Sequence, residues 1–157
     1  MLIKNQKGSA NMNHDVLAKI NEIIEKNTVK NGVFKGEICV ISLIDDEGFP
    51  TMCTVTPSKC DGINWITFGT LLDENRAKRS IANKKASVCF DSNTYCLNLV
   101  GEMEVITSSD IKHDMWYDGL AAFFTNPDDP NYCVLKFTTK RYKFFNTADG
   151  TETEGTV

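Results

Sequence analysis

One segment of the chain combines the residue types that bind a phosphate group. It leaves an apolar stretch at Phe68, passes through Gly69 and enters a predicted helix near Arg76. Unpaired backbone N–H groups at the start of a helix attract anions, and the helix dipole adds to that attraction. The side chains of Thr70, Asn75 and Arg76 could supply further hydrogen-bond donors. This segment is therefore a candidate phosphate site.

The same segment also has a simpler structural interpretation. The acidic residues Asp73 and Glu74 precede the basic residues Lys78 and Arg79, and that order of charge stabilises any solvated helix through its dipole. The two carboxylates would also repel a bound anion. Composition alone favours this interpretation, because so short a motif is weakly specific.

The sequence offers few residues for other kinds of active site. The two histidines, His14 and His113, lie in stretches predicted to be exposed helix, so neither a Ser-His-Asp triad nor a multi-histidine metal site is expected. Neither a Rossmann G-x-G-x-x-G pattern nor a P-loop is present. The six cysteines form no C-x-x-C pair, and several lie among apolar strand residues. We therefore expect free thiols and no metal site.

Length and charge limit the kind of protein. The 157 residues suit one domain with its own core, and the 41% hydrophobic and 24% charged content is typical of a soluble globular chain. The net charge of −4 gives no global positive field, so we expect neither nucleic acid nor a membrane as a partner. No apolar run is long enough to span a bilayer, and residues 1–12 lack an apolar signal region, so we expect a cytoplasmic protein.

Hydrophobic periodicity predicts one domain over residues 13–146, between a flexible N-terminus at 1–12 and a flexible polar tail at 147–157. Three helices are predicted: residues 13–26 with Asn13 as cap, residues 73–83 with Asp73 as cap, and a helix capped by Ser109 or Asp110 that carries Met115 and Trp116.

Seven short strands are predicted, at residues 38–44, 50–56, 63–68, 86–91, 97–105, 132–137 and 141–145. Turns are predicted at residues 45–48 and at Asp61-Gly62, and Gly101 is expected to mark a bulge or a close backbone approach. Strands without βαβ alternation favour a mainly β fold, a closed or split antiparallel barrel with flanking helices.

The order of several short motifs resembles one known group of proteins. The motifs lie at residues 46–50, 54–56, 67–70, 75–76 and 85–90. In this order and spacing they resemble the FMN-binding split-barrel proteins of the pyridoxamine-phosphate-oxidase-like superfamily. Residues 99–105, 116–117 and 128–137 are similar to its general stress protein branch in particular. The resemblance covers roughly residues 37–145 and implies a six- to seven-stranded antiparallel split β-barrel.

The resemblance also implies a set of FMN-binding residues. The backbone groups that face the flavin ring would belong to Thr54, Val55 and Thr56. The residues that flank the ring and the ribityl chain would be Phe68, Gly69 and Thr70. Asn75 and Arg76 would hold the phosphate, and Trp116 would border the flavin, although a tryptophan on a helix face is more often part of the core. The resemblance further implies a homodimer with the flavin at its interface.

Several positions depart from the family pattern. Glu74 stands where the family has a serine, and a carboxylate beside a phosphate dianion costs affinity unless it turns into solvent. Arg76 replaces the usual lysine, and its guanidinium can hold two phosphate oxygens at once. The chain lacks the arginine-bearing C-terminal segment of true pyridoxamine-phosphate oxidases, so we do not expect that activity. Residues 68–70 lack the histidine characteristic of the nitroimidazole-resistance branch.

We therefore expect an FMN-binding flavoprotein, an oxidoreductase that acts on an unknown small molecule. No residue is identifiable as a catalytic acid, base or nucleophile, so a non-catalytic flavin-binding or stress-related sensing module is the alternative. A structural dimer without a cofactor is a third interpretation, and the presence of Glu74 favours it.

Overall fold

The computed structural model describes residues 10–157, with side chains from His14 onward. Its helices are α1 (Ala10–Lys26), α2 (Asn75–Ala82), α3 (Ser109–Asp114) and a 3-10 helix (Asp118–Ala122). Its strands are β1 (Cys39–Ile44), β2 (Pro50–Val55), β3 (Pro57–Asp61), β4 (Trp65–Leu71), β5 (Lys85–Asp91), β6 (Tyr95–Ile106), β7 (Tyr132–Asn146) and β8 (Thr151–Thr156). No helix of this part of the chain is long and apolar enough to cross a bilayer.

All strands belong to one antiparallel sheet in the order β2-β1-β5-β6-β7-β4-β3, and β8 pairs with β7. The long strand β7 pairs with β4 through its first half and with β8 through its second half. Strands β2 and β3, at opposite ends of this order, follow each other in the chain through Thr56. The sheet therefore curls into an antiparallel half-barrel, which confirms the predicted fold class.

The main core lies inside the curled sheet. Alternate residues of the strands point inward, for example Ile41 of β1 and Val88 of β5. Helix α1 adds the buried residues Ile20, Ile23 and Ile24, which share one helix face at i, i+3 and i+4. Each such side chain contributes about 1.5–3 kcal/mol through burial. Helix α1 is therefore an integral part of the core.

The last two predicted strands form one continuous strand, β7. Residues 138–140 continue β7 between the two predicted strands, and a bulge at Lys140 lies opposite the Val100-Gly101 step of β6. A Cβ atom on Gly101 would lie 2.0 Å from the carbonyl oxygen of Thr138. The predicted bulge and the close backbone approach at Gly101 are both confirmed.

Three other elements differ from the prediction. Strand β3 was not predicted, because residues 57–61 lack a clear alternation of polar and apolar types. The turn at Asp61-Gly62 is confirmed and joins β3 to β4. Helix α3 begins after Ser108 and ends at Asp114, so Met115 and Trp116 follow it instead of lying on it. The short 3-10 helix that comes next was also not predicted.

The ends of the chain also differ from the prediction. Helix α1 begins at Ala10, three residues before the predicted cap Asn13, so residues 10–12 are helical. Residues 1–9 of the predicted flexible N-terminus lie outside the described residues. The predicted flexible tail is wrong for residues 151–156, which form β8. Its threonines favour an extended strand, and the edge of β7 supplies the hydrogen-bonding partner that residues 147–157 lack on their own.

Candidate functional site

The predicted phosphate segment connects the end of β4 to the start of α2. Helix α2 begins at Asn75, and its N-cap is Glu74, not the predicted Asp73. The Glu74 side chain makes no capping hydrogen bond to the helix. Its carboxylate is instead held by Arg76, which donates to the oxygen Oε2 from Nη2 at 2.6 Å and from Nε at 3.2 Å. The hydroxyl of Thr70 lies 3.5 Å from the same oxygen.

A second arginine, Arg79, lies one helical turn further along α2. Its Nη1 donates to the hydroxyl of Thr51 on β2 at 2.8 Å, and that hydroxyl donates to the carbonyl of Leu43 at 2.9 Å. Residues at i and i+3 share one helix face, so Arg76 and Arg79 lie on the same side of α2. This contact links the second turn of α2 to β2.

The thiol of Cys53 on β2 lies within the electric field of both arginines. Burial raises the pKa of Cys53, the charges of Arg76 and Arg79 oppose that rise, and the charge of Glu74 adds to it. We call the two arginines and the residues linked to them by hydrogen bonds or charge the arginine cluster: Thr51, Cys53, Thr70, Glu74, Arg76 and Arg79. The cluster contains two guanidinium groups and one carboxylate, so it carries a net positive charge and suits an anion.

The predicted ring-facing residues 54–56 lie at the end of β2 and in the link to β3. Thr54 is exposed on the outer face of the sheet, whereas Val55 is buried in the core. Thr56 is half-buried, and burial raises the pKa of Tyr117 while a hydrogen bond from the Thr56 hydroxyl partly offsets that rise. The three residues alternate between faces, so their backbone groups are the feature that they can offer jointly to a ligand.

The residues predicted to flank the ring lie in β4, in contact with both apolar clusters of the protein. Phe68 is only 1% exposed and points into the main core, so its side chain does not face solvent. Gly69 is covered by the 3-10 helix, since a Cβ atom there would lie 2.7 Å from Cδ2 of Leu120. Thr70 is also buried, but its hydroxyl reaches the arginine cluster. Of these three residues, Thr70 alone directs a polar side chain toward that cluster.

Trp116 belongs to a second, smaller apolar cluster. Its ring packs edge-on against Tyr132 at 5.5 Å between centroids and against Phe124 at 6.5 Å. Buried members of the same cluster include Leu120, which covers Gly69. Trp116 is half-buried, and these contacts agree with the simpler interpretation that it is a core residue.

The sequence prediction therefore included part of the arginine cluster and missed the rest. The structure brings Thr70 and Arg76 together, and places Asn75 at the exposed first position of α2. It adds Arg79, Thr51 and Cys53. The i, i+3 spacing of the two arginines and the alternation that puts Thr51 and Cys53 on one face of β2 were the available signals. In residues 10–157, no three His, Cys, Asp or Glu side chains are grouped so that they could hold a metal ion.

Comparison with known proteins gives structural relatives only. No family model and no curated protein sequence matches the chain. A Clostridium acetobutylicum protein related to general stress protein 26 of Bacillus subtilis, of the pyridoxinephosphate oxidase family, superimposes with a TM-score of 0.76 at 23% identity over 91% of this chain and 95% of that one.

Two more distant structures share the fold. A pyridoxamine 5'-phosphate oxidase-related, FMN-binding protein from Nostoc punctiforme has a TM-score of 0.62 at 12% identity, with 96% of this chain and 98% of that chain covered. A heme-binding protein from Mycobacterium smegmatis has a TM-score of 0.66 at 15% identity, with 89% of this chain and 57% of that chain covered.

The fold therefore defines the class: the chain has the split-barrel fold that it shares with proteins described as pyridoxamine 5'-phosphate oxidase-related and FMN-binding. Within that class its structural neighbours include general stress protein 26 and a related protein, which is the branch that the motif order predicted. The fold is shared by proteins described as FMN-binding and by one described as heme-binding, so it does not by itself specify the ligand.

Proposed function

We propose that this protein binds FMN, with the phosphate held by the arginine cluster, and that it is an oxidoreductase for a small molecule. The observation that carries the proposal is the pair Arg76 and Arg79, one turn apart on one face of α2, with Arg79 hydrogen-bonded to Thr51 of β2. Hydrogen bonds from charged donors are worth about 1.5–3 kcal/mol each. Two such donors, one of them in the first turn of a helix, suit a dianionic phosphate.

The donor chemistry of the cluster fits a phosphate in most respects. Arg76, Arg79 and Thr70 carry N–H or O–H donors, Thr51 already donates its proton to the carbonyl of Leu43, and only Glu74 opposes an anion. A ring attached to that phosphate would extend along β2 toward residues 54–56. Strand β2 ends the sheet order, so within the described chain one of its edges has no partner strand. That open edge supports a role for the backbone groups of β2 in holding the polar rim of the ring.

The protein's part in the chemistry would be binding and orientation. A bound flavin supplies the electron transfer itself. Arg76 and Arg79 would fix the phosphate end, and the open edge of β2 would set the position of the ring. The free state of all six cysteines suits a reducing compartment and supports a cytoplasmic location.

A second candidate function is a non-catalytic flavin-binding or sensing module. It is favoured by the composition of the arginine cluster, in which the one carboxylate, Glu74, is already paired with Arg76. The cluster thus presents no unpaired carboxylate or imidazole as a proton donor or acceptor for a substrate. Under this alternative the flavin would bind in the same place but would not turn over.

The first test is a titration with FMN, followed by the quenching of flavin fluorescence. We expect saturable binding with a Kd in the micromolar range or below. The absence of saturable binding below about 100 μM, which corresponds to about −5.5 kcal/mol, would contradict the proposal. A parallel titration with heme tests whether the protein binds heme instead of FMN, since one protein with this fold is described as heme-binding. Bleaching of bound FMN by NADH or NADPH would favour the oxidoreductase over the sensing module.

A further inference from the structure

The carboxylate of Glu74 accepts hydrogen bonds that Arg76 could otherwise donate to an anion. Its Oε2 accepts hydrogen bonds from Nη2 and Nε of Arg76 at 2.6 and 3.2 Å, and the hydroxyl of Thr70 lies 3.5 Å away. These are the donor types that bind phosphate in two-point contacts. The carboxylate of Glu74 thus neutralises Arg76, one of the two arginines of the cluster.

The Glu74 side chain is not fixed by the helix that it begins. N-cap side chains commonly accept a hydrogen bond from an N–H of the first turn, but Glu74 makes none. The side chains of Glu74 and Arg76 are 40% and 31% exposed, so their ion pair is partly screened by water. Exposed ion pairs of this kind are weak, and water can solvate the carboxylate when it leaves. The carboxylate can therefore move aside at low cost.

Arg79 differs from Arg76 in its partner. It donates to the neutral hydroxyl of Thr51, which does not compensate its charge. An incoming anion would keep the attraction of Arg79 but would have to displace Glu74 to reach Arg76. The two arginines of the cluster are thus unequal in the protein without ligand.

We propose that Glu74 is a specificity-determining residue that competes with the ligand's phosphate for Arg76. This inference rests on the proposed function, since it concerns the same site. Its consequence is a reduced preference for phosphorylated flavins: FMN must displace a carboxylate and riboflavin need not. Glu74 therefore lowers the ratio of FMN affinity to riboflavin affinity below the value that two unopposed arginines would give.

The test compares the wild type with Glu74→Gln, which keeps the size of the side chain and removes its charge. We expect FMN to bind about five- to tenfold more tightly to the variant, as expected for the loss of one exposed ion pair and of a like charge beside the ligand. Riboflavin affinity should stay unchanged. Asp73→Asn is the matched control, because it removes the adjacent exposed carboxylate. It should raise FMN affinity by clearly less.

An equal ratio of FMN to riboflavin affinity in the wild type and in Glu74→Gln would overturn the inference, and so would an equal gain in Asp73→Asn. If no variant binds any flavin, the proposed function fails, and inorganic phosphate becomes the probe. Nitrogen-15 NMR of the Arg76 Nε–H group then decides the role of Glu74. Tighter phosphate binding in Glu74→Gln would support it, and equal binding would exclude it. Circular dichroism checks that both variants are folded.

Discussion

At the scale of single residues, the arginine cluster depends on contacts between elements that are distant in sequence. Arg79 on α2 reaches Thr51 on β2, and Thr51 in turn donates to Leu43 on β1. The position of the Arg79 guanidinium is therefore set by the β1–β2 hairpin as well as by its own helix. That arrangement gives the site a defined geometry before any ligand binds.

Removing either guanidinium tests the phosphate site directly. We expect Arg76→Ala and Arg79→Ala each to weaken FMN binding by about 1.5–3 kcal/mol, because a dianion loses a charged donor. Riboflavin has no phosphate and should bind nearly as before. The measurement is a pair of fluorescence titrations with the two ligands. Lys78→Ala serves as the control, because Lys78 is the exposed basic residue between the two arginines.

Parallel losses of FMN and riboflavin affinity would indicate damage to the barrel and not loss of phosphate recognition. Unchanged FMN affinity in both folded variants would place the phosphate elsewhere in the protein. If Lys78→Ala lowers FMN affinity as much as Arg79→Ala does, the arginines act only through general electrostatic attraction.

Part of this cluster could be predicted from the sequence, and part could not. Thr70 and Arg76 were predicted because they lie together in one short segment with a recognisable order of motifs. Arg79 could have been found from its spacing of three residues from Arg76. The pairing of Glu74 with Arg76 depends on side-chain conformation, and the contact with Thr51 depends on packing between α2 and β2. Neither of these is determined by local sequence.

At the scale of elements, the junction of β6 and β7 is the place where a small change should have a large effect. A Cβ atom on Gly101 would lie 2.0 Å from the backbone oxygen of Thr138, and a main-chain atom in a paired strand cannot move alone. We expect Gly101→Ala to lower the free energy of unfolding by about 1–3 kcal/mol or more, since that range is the usual cost of overpacking. Urea unfolding measures this loss.

Gly69→Ala is the comparison for Gly101→Ala. Its added Cβ atom would also be too close to a neighbour, at 2.7 Å, but that neighbour is the end of the Leu120 side chain, which can change its rotamer. The loss should therefore be smaller than at Gly101. Equal losses of stability at both sites would show that the backbone at the bulge can shift as easily as the Leu120 side chain can change its rotamer.

The sequence predicted most strands of the half-barrel because their inward and outward residues alternate. It failed where an element depends on a distant partner. Strand β8 forms because β7 has a free edge beyond its pairing with β4, and nothing within residues 147–157 indicates that edge. Residues 138–140 continue β7 because β6 pairs with Thr138 and Thr139 before the bulge and with Arg141 after it. Strand formation of this kind is set by tertiary context more than by propensity.

At the scale of the whole molecule, the outer face of β1 and β2 carries exposed apolar residues. Met52 on β2 is 75% exposed, and Ile38 just before β1 is 55% exposed. Val40 lies on the same face and is half-buried. Exposed apolar side chains grouped on one face of a small protein are typical of an interaction site. The face adjoins residues 54–56, so a partner seated on it would also border the proposed ring site.

We therefore expect a homodimer that uses the outer face of β1 and β2. Light scattering at micromolar protein concentration should give about twice the 17.6 kDa of one chain.

Met52→Glu should shift the protein to the monomer, because it buries an unpaired charge in the contact. Phe123→Glu, which changes an equally exposed apolar residue outside this face, should not. If the partner completes the flavin site, Met52→Glu must also weaken FMN binding, whereas Phe123→Glu leaves it intact. A wild type that stays monomeric at micromolar concentration would exclude both the dimer and the shared site.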